Sequence, residues 1–278
     1  MIKEYPLSEL LQLIKSGISK QSQFVFDCDG TLVDGDVSSL TGWQLMKAGM
    51  VDMELLPEPY QKPAFYLKMS LEDYYRIRSE IETSLGHYSA LEWELKIQSG
   101  IPHQIVVDYA HVAIDFGLAN NFVSYTAVMS ALLKDHAPQS WVVSGSSFPT
   151  VLALAEKFKV DEERVLATRL ELVDGVYQKN FTPPGFIWEE NKVVALKESG
   201  VTAPYFVAGD SYGDWNMMQL ATDWVWCLVW NKRHFGNKNY REFLSSKLPF
   251  AKEIPHRSGF YHIVHEGKNW VFEVIESD

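Results

Sequence analysis

FVFDCDGTLVDGD, residues 24–36, decides how this chain is read. Three apolar residues in extended style run into Asp27, and Asp29 follows two positions later, ahead of Gly30 and Thr31. A buried strand that ends in two neighbouring carboxylates carries like charges at short range. That costs stability unless something positive compensates them. The stretch therefore raises the question of what sits between Asp27 and Asp29.

Three further apolar runs have the same design: SWVVSG (140–145), PYFVAGD (204–210) and WVWCLVW (224–230). Helical patterns follow two of them, PTVLALAEKF after the first and DWNMMQLA after the second. Strands alternating with helices predict a parallel sheet with crossover helices. Ligands of such sheets bind at the carboxyl ends of the strands, where Asp27, Ser144 and Asp210 fall. Between the first and second strands lies a long stretch of helical character: TGWQLMKAGM, SLEDYYRIRSEIETSL, YSALEWELKIQSG and PHQIVVDYAHVAIDFGL. A βαβ unit needs only about 30 residues. The expectation is an α/β core made of residues 1–35 and 136–278, with a helical domain, 36–135, inserted after the first strand. ATRLELVDGVYQK (167–179) alternates on both sides of Asp174-Gly175 and predicts a hairpin. NWVFEVI near the end reads as a possible last strand.

The 278 residues allow one large domain or a core plus a smaller one, and 46% hydrophobic content supports a sizeable core. A net charge of -11 argues against a nucleic-acid or anionic-membrane binder, since both want a basic face. It leaves room for an anionic substrate wherever a metal or a lysine reverses the local field. Leu7, Leu10, Leu11 and Ile14 take amphipathic-helix spacing, and no apolar run approaches the ~18 residues of a membrane span. Cys28 and Cys227 lack metal-ligand spacing and read as reduced thiols of a soluble, cytoplasmic protein. Cys28 is expected to be a buried strand-end residue. The eight histidines, His262 and His265 included, suggest no metal site.

Asp27 and Asp29, with Asp210 ending another strand of the same sheet, make an all-oxygen site for a hard divalent cation. Mg²⁺ suits it, because that ion takes one or two carboxylates, waters and substrate phosphate. A calcium EF-hand loop fails the comparison: Gly30 would stand at loop position 4, and position 12 is Ser38.

Asp27-x-Asp29-Gly30-Thr31-Leu32 after an apolar strand resembles the first motif of the haloacid dehalogenase (HAD) superfamily of phosphatases and phosphotransferases. The other motifs follow in order: Ser144 after two valines, Lys192 in EENKVVAL, and Gly209-Asp210-Ser211-x-x-Asp214. LATRLELVDGVY is similar to the phosphoserine phosphatase branch. The resemblance covers the sheet domain, and the insert only by position and length. It implies a Rossmann-like parallel sheet core with an inserted α-helical cap domain.

The resemblance also implies roles. Asp27 is the expected nucleophile, passing through an aspartyl phosphate. Asp29 is the expected general acid and then base, with its carbonyl facing the metal. A halide leaves without a proton, so a proton-moving Asp29 favours phosphoryl transfer over dehalogenation. Ser144 and the amide of Gly145, near a helix start, would bind phosphoryl oxygens, and Thr31 would donate near the nucleophile. As a lone residue, Ser144 is equally well read as a helix N-cap. Lys192 would offset the charge of Asp27 and the phosphate. Asp210 would ligate Mg²⁺, and Asp214 would hold the ion's waters. One position departs from the pattern: Gly213 stands where phosphoserine-type relatives often carry a water-holding Asn.

The substrate would be read by the cap. Asp36, nine residues after Asp27, matches a Glu that meets the substrate amine in phosphoserine-type enzymes. It reads equally well as a helix N-cap. Trp43, Phe65, Tyr66, Tyr74, Tyr75 and Trp93 could build an aromatic cage for a quaternary ammonium, although helical spacing makes core packing the default. Arg76 or Arg78 could clamp a carboxylate. The expected activity is Mg²⁺-dependent hydrolysis of a small phosphorylated metabolite, with amine-bearing, phosphoserine- or phosphocholine-like esters among the candidates. The alternatives are a phosphotransferase or mutase, and a phosphatase acting on a modified protein.

Overall fold

The computed structural model describes residues 2–4, 7–57, 60–61, 68–229, 259–266 and 269–275, and beyond Asp223 it describes the backbone alone. Phe65, Tyr66 and the side chains of Cys227, His262 and His265 therefore lie outside the described part.

Among the described residues, eight strands form one sheet. Their spatial order is β1 (Ile2–Glu4), β12 (Asn269–Ile275), β11 (Gly259–Glu266), β10 (Trp224–Val229), β9 (Phe206–Gly209), β2 (Phe24–Phe26), β5 (Ser140–Ser147) and β6 (Val165–Thr168). The run from β6 to β11 is parallel, and β12 and β1 close the far edge antiparallel. All four apolar runs expected to be strands are neighbours in this sheet. β2 is in its middle, with Phe24 opposite Ser140 on one side and Phe206 on the other.

A parallel sheet must be covered on both faces, and alternate residues of one strand serve the two covers. Phe24 and Phe26 pack with Phe206, Ile14 and the helix Phe148–Lys157, whereas Val25 packs with Val143, Val207, Leu196 and Met217. Ile14 belongs to the expected amphipathic helix, Leu7–Ser16. The hairpin forms as β7 (Leu170–Val173) and β8 (Val176–Phe181), with Val173 opposite Val176. β6 was not separable from it in the sequence, because apolar alternation continues from Val165 into the hairpin. β1 and β11 were not foreseen either.

The inserted segment leaves and returns through two short strands, β3 (Val33–Asp34) and β4 (Ser124–Tyr125), which pair antiparallel. Between them lie the helices Val37–Lys47, Leu71–Leu85, His87–Lys96 and His103–Ala119. Asp36 caps the first through Ser39 N, and a Ser70–Asp73 capping box starts the second. The insert is joined to the sheet. Helix His103–Ala119 packs on Phe148–Lys157, and Leu40 and Ile114 share one apolar cluster with Phe26 and Val142. Ser147 N donates to Ser38 Oγ at 3.0 Å, Thr41 and Thr150 hydroxyls meet at 2.9 Å, and the hairpin carbonyl Tyr177 O accepts Gly100 N. No helix of the described residues is long and apolar enough to cross a membrane.

Candidate active site

The carboxyl ends of β2, β5 and β9 bring Asp27, Ser144 and Asp210 to the floor of one cavity of about 770 Å³, walled on the other side by the inserted helices. Asp27 is fixed by its own backbone, whose N–H donates to Ala208 O of β9 at 2.9 Å. The chain then turns sharply: Cys28 O accepts Leu32 N at 2.8 Å and also faces the amides of Thr31 and Val33. Cys28 itself is buried and free, as expected. Gly30 sits at φ +74, and the Asp210 carboxylate fills the space a side chain would need there.

Lys192 lies in the first turn of helix Glu190–Glu198, 1% exposed. Its Nζ donates to Asp27 Oδ1 at 2.6 Å, Asp214 Oδ1 at 2.5 Å and Val143 O at 3.3 Å. Burial works against its charge, but Asp214 and Asp27 outweigh burial and raise its pKa. Burial, followed by the charge of Asp214, pushes Asp27 up to about 7 despite the nearby lysine. Burial likewise raises Asp210 well above the usual carboxylate range, with Asp214 and Asp27 adding to it. One lysine facing Asp27, Asp210 and Asp214 leaves the cluster short of positive charge. Oxygens of these three carboxylates lie within 4.8 Å of one another. A hard divalent cation fits this all-oxygen, charge-deficient donor set.

The four expected metal residues separate into different roles. Asp214 is fully buried, with Oδ1 taken by Lys192 and Oδ2 accepting Asp210 N, Ser211 N and Ser211 Oγ at 3.0–3.1 Å. It thus holds both the lysine and the loop that presents Asp210. Asp29 stands apart from the three-carboxylate group. Its Oδ1 accepts Val37 N at 2.7 Å and its Oδ2 accepts Ser146 Oγ at 2.5 Å, so the side chain turns toward the insert. Burial, then Asp36, raises its pKa well above the usual value.

Ser144 and Gly145 line the cavity, but neither begins a helix. The N-cap of Phe148–Lys157 is Ser147, and Ser144 Oγ accepts Ser146 N at 3.0 Å, so the N-cap reading of Ser144 is corrected. β5 simply runs further than its apolar residues do. Thr31 is fully buried and is not part of the cavity wall; its carbonyl accepts Thr126 Oγ1 at 2.7 Å.

On the insert side, Asp36 faces the cavity while capping its helix, with Oδ1 accepting Ser39 N at 3.0 Å and Oδ2 3.6 Å from Arg78. The helix-cap reading of Asp36 holds, and its other oxygen is turned to the Arg78 guanidinium. Of the two candidate arginines, Arg78 lines the cavity and Arg76 pairs with Asp73 on the outer surface. Arg78 Nε also lies 3.3 Å from Glu94 Oε2. Glu94, 3% exposed, accepts Ser39 Oγ and Tyr74 OH, and burial, followed by Asp36, pushes it up to about 7. The aromatics of the insert mostly pack internally: Tyr74 is buried against Trp93, and Trp43 donates its Nε1–H to Met69 O. Tyr75 alone among the described members of that set lines the cavity.

Several cavity residues escaped the sequence reading. Ser146 and Glu94 carry no motif. Phe186 and Trp188, with rings parallel within 9°, come from the segment after the hairpin, which has no periodicity to betray them. Trp188 also bears on Gly213: a Cβ at Gly213 would fall 2.7 Å from Trp188 Cη2 and Cζ2, so the indole covers the glycine.

Residues 24–219 match the family model of the haloacid dehalogenase-like hydrolases. The match spans more than half of the chain, which belongs to this family. No curated protein matches significantly. Among solved structures, a protein of unknown function from Bordetella pertussis Tohama I aligns with a TM-score of 0.59 at 16% identity, covering 82% of this chain and 96% of its own. A functionally unknown protein from Anaerococcus prevotii DSM 20548 gives 0.58 at 16%, covering 91% and 92%. A cytosolic 5'-nucleotidase IIIB bound to cytidine gives 0.51 at 14%, covering 91% and 85%. At these identities the structures share the fold with this chain.

Proposed function

We propose that this hydrolase is a Mg²⁺-dependent phosphatase of small phosphomonoesters, working through an aspartyl phosphate on Asp27. The observation that carries the reading is Lys192 Nζ, 2.6 Å from Asp27 Oδ1, beside the Asp27–Asp210–Asp214 oxygen cluster at the strand ends. Asp27 and Asp210 would hold Mg²⁺, which when bound offsets phosphoryl charge and orients the ester. Asp27 attacks phosphorus, the ester P–O bond breaks, and the leaving oxygen takes a proton from Asp29. Water then attacks the phosphorus, giving its proton to Asp29 as the Asp27–phosphorus linkage breaks and phosphate departs. Lys192 keeps Asp27 oriented and offsets negative charge throughout. Ser144, Ser146 and the Gly145 amide face the phosphoryl group.

The domain division is part of the same proposal: the paired strands Val33–Asp34 and Ser124–Tyr125 bound a cap over the site. The cap presents Asp36 and Arg78, which supports an amine-bearing substrate at the former. The test is release of inorganic phosphate from an aryl phosphate in water, with and without Mg²⁺. Asp27→Asn is expected to abolish it, by at least a thousandfold. Undiminished release by that variant rejects the mechanism, and phosphate appearing only with an added alcohol acceptor points to transfer.

A further inference from the structure

We infer that Trp188 is a specificity-determining residue, reading an ammonium group on the leaving side of the ester from a position that Gly213 keeps open. This deepens the phosphomonoesterase reading and rests on it. Trp188 lines the same cavity as Asp27, in parallel with Phe186. Its indole lies directly over Gly213, one residue before the buried Asp214 that anchors Lys192. Glu189 N donates to Gly213 O at 3.1 Å, so the two segments are fastened together by backbone as well. Any side chain at 213 meets the ring at 2.7 Å and must displace it. The absence of a side chain at 213 and the presence of the indole are therefore one feature.

The charge around the ring selects the ligand's sign. His87 lies 6.1 Å from Trp188 between centroids and is held by Glu82 at 2.9 Å. In the lining of the same cavity, Arg78 is flanked by both Glu94 and Asp36, so its single charge faces two carboxylates. An anionic leaving group meets repulsion there, whereas a cation gains from the acids and from the indole π system.

The test compares phosphocholine with its neutral isostere, 3,3-dimethylbutyl phosphate, by kcat/KM for phosphate release. The wild-type enzyme is expected to prefer phosphocholine, and Trp188→Ala and Gly213→Ala are each expected to lower that preference roughly tenfold. Trp188→Phe should retain part of it, and the loss should fall mainly on KM. An unchanged ratio in Trp188→Ala overturns the inference, as does a wild-type enzyme that favours the neutral ester. Calorimetric binding of choline, lost in Trp188→Ala, supports the subsite independently of turnover. If choline binds in this way but no ester is hydrolysed, the phosphatase reading fails and the cation subsite stands.

Discussion

Replacing Lys192 by methionine removes one charge and almost no volume, and the structure sets the cost. The ammonium is 2% exposed at the side chain and is the shared partner of Asp27, at 8%, and Asp214, at 1%. Breaking a buried pair by removing one partner costs about 3–5 kcal/mol, because the other charge stays buried without compensation. For a chain of this size that corresponds to a fall of roughly 10 °C in Tm. The deficit should depend on pH with a definite sign. The folded-state pKa of Asp27 is raised to about 7 even with the lysine present, and removing the lysine takes away a lowering influence. A carboxyl raised in the folded state contributes stability below its unfolded pKa and loses it as pH rises through the folded pKa. Lys192→Met should therefore lose more relative to wild type at pH 8 than at pH 5.5. Thermal unfolding by circular dichroism, in buffer containing chelator, measures both values. Adding Asp214→Asn should recover part of the loss by removing one of the two stranded carboxylates. A deficit under about 2 °C, or one equal at both pH values, would refute the account of Lys192 as the counter-charge of a buried acidic pair.

Two further changes probe the remaining geometry. Gly30→Ala places a methyl group against the Asp210 carboxylate at φ +74, so the apparent Mg²⁺ requirement for hydrolysis is expected to rise at least severalfold; an unaltered Mg²⁺ titration would contradict the placement of Asp210. Glu94, raised to about 7 by burial and Asp36, loses its stabilising contribution as pH climbs through that value. Glu94→Gln should flatten the Tm profile between pH 6 and 8 by the equivalent of about 1 kcal/mol, and parallel profiles would exclude that role.

How much was legible in the sequence differs from residue to residue. Asp27 and Asp210 could be named because each sits in a local context that survives folding, a strand end and a Gly-Asp after an apolar run, whereas Lys192, a surface lysine by local context, was named through the family resemblance. Ser144 shows the limit of local context. Its small polar neighbours suggested a helix cap, but the strand partner of β5 carries the pairing on to Ser147. Asp36 was legible as a helix cap because Ser39 lies three residues on, but its second neighbour, Arg78, comes from another helix of the insert and carries no local signal.

Sequence by itself determined four strands of a parallel sheet and the acidic character of their carboxyl ends, whereas their spatial order came from the fold. Continuous apolar runs and strand-end carboxylates are local patterns, and the physical requirement behind each acts within a few residues. The partners each carboxylate of the acidic cluster takes were decided only by tertiary structure. Asp214 and Asp29 look alike in the chain, yet one is consumed by Lys192 and the Asp210 loop and the other turns toward Val37 and Ser146. Tertiary structure also decided the far wall of the cavity, where Trp188 rests on a glycine twenty-five residues further along the chain. Contact between such distant segments is a matter of shape and space, for which no spacing rule exists.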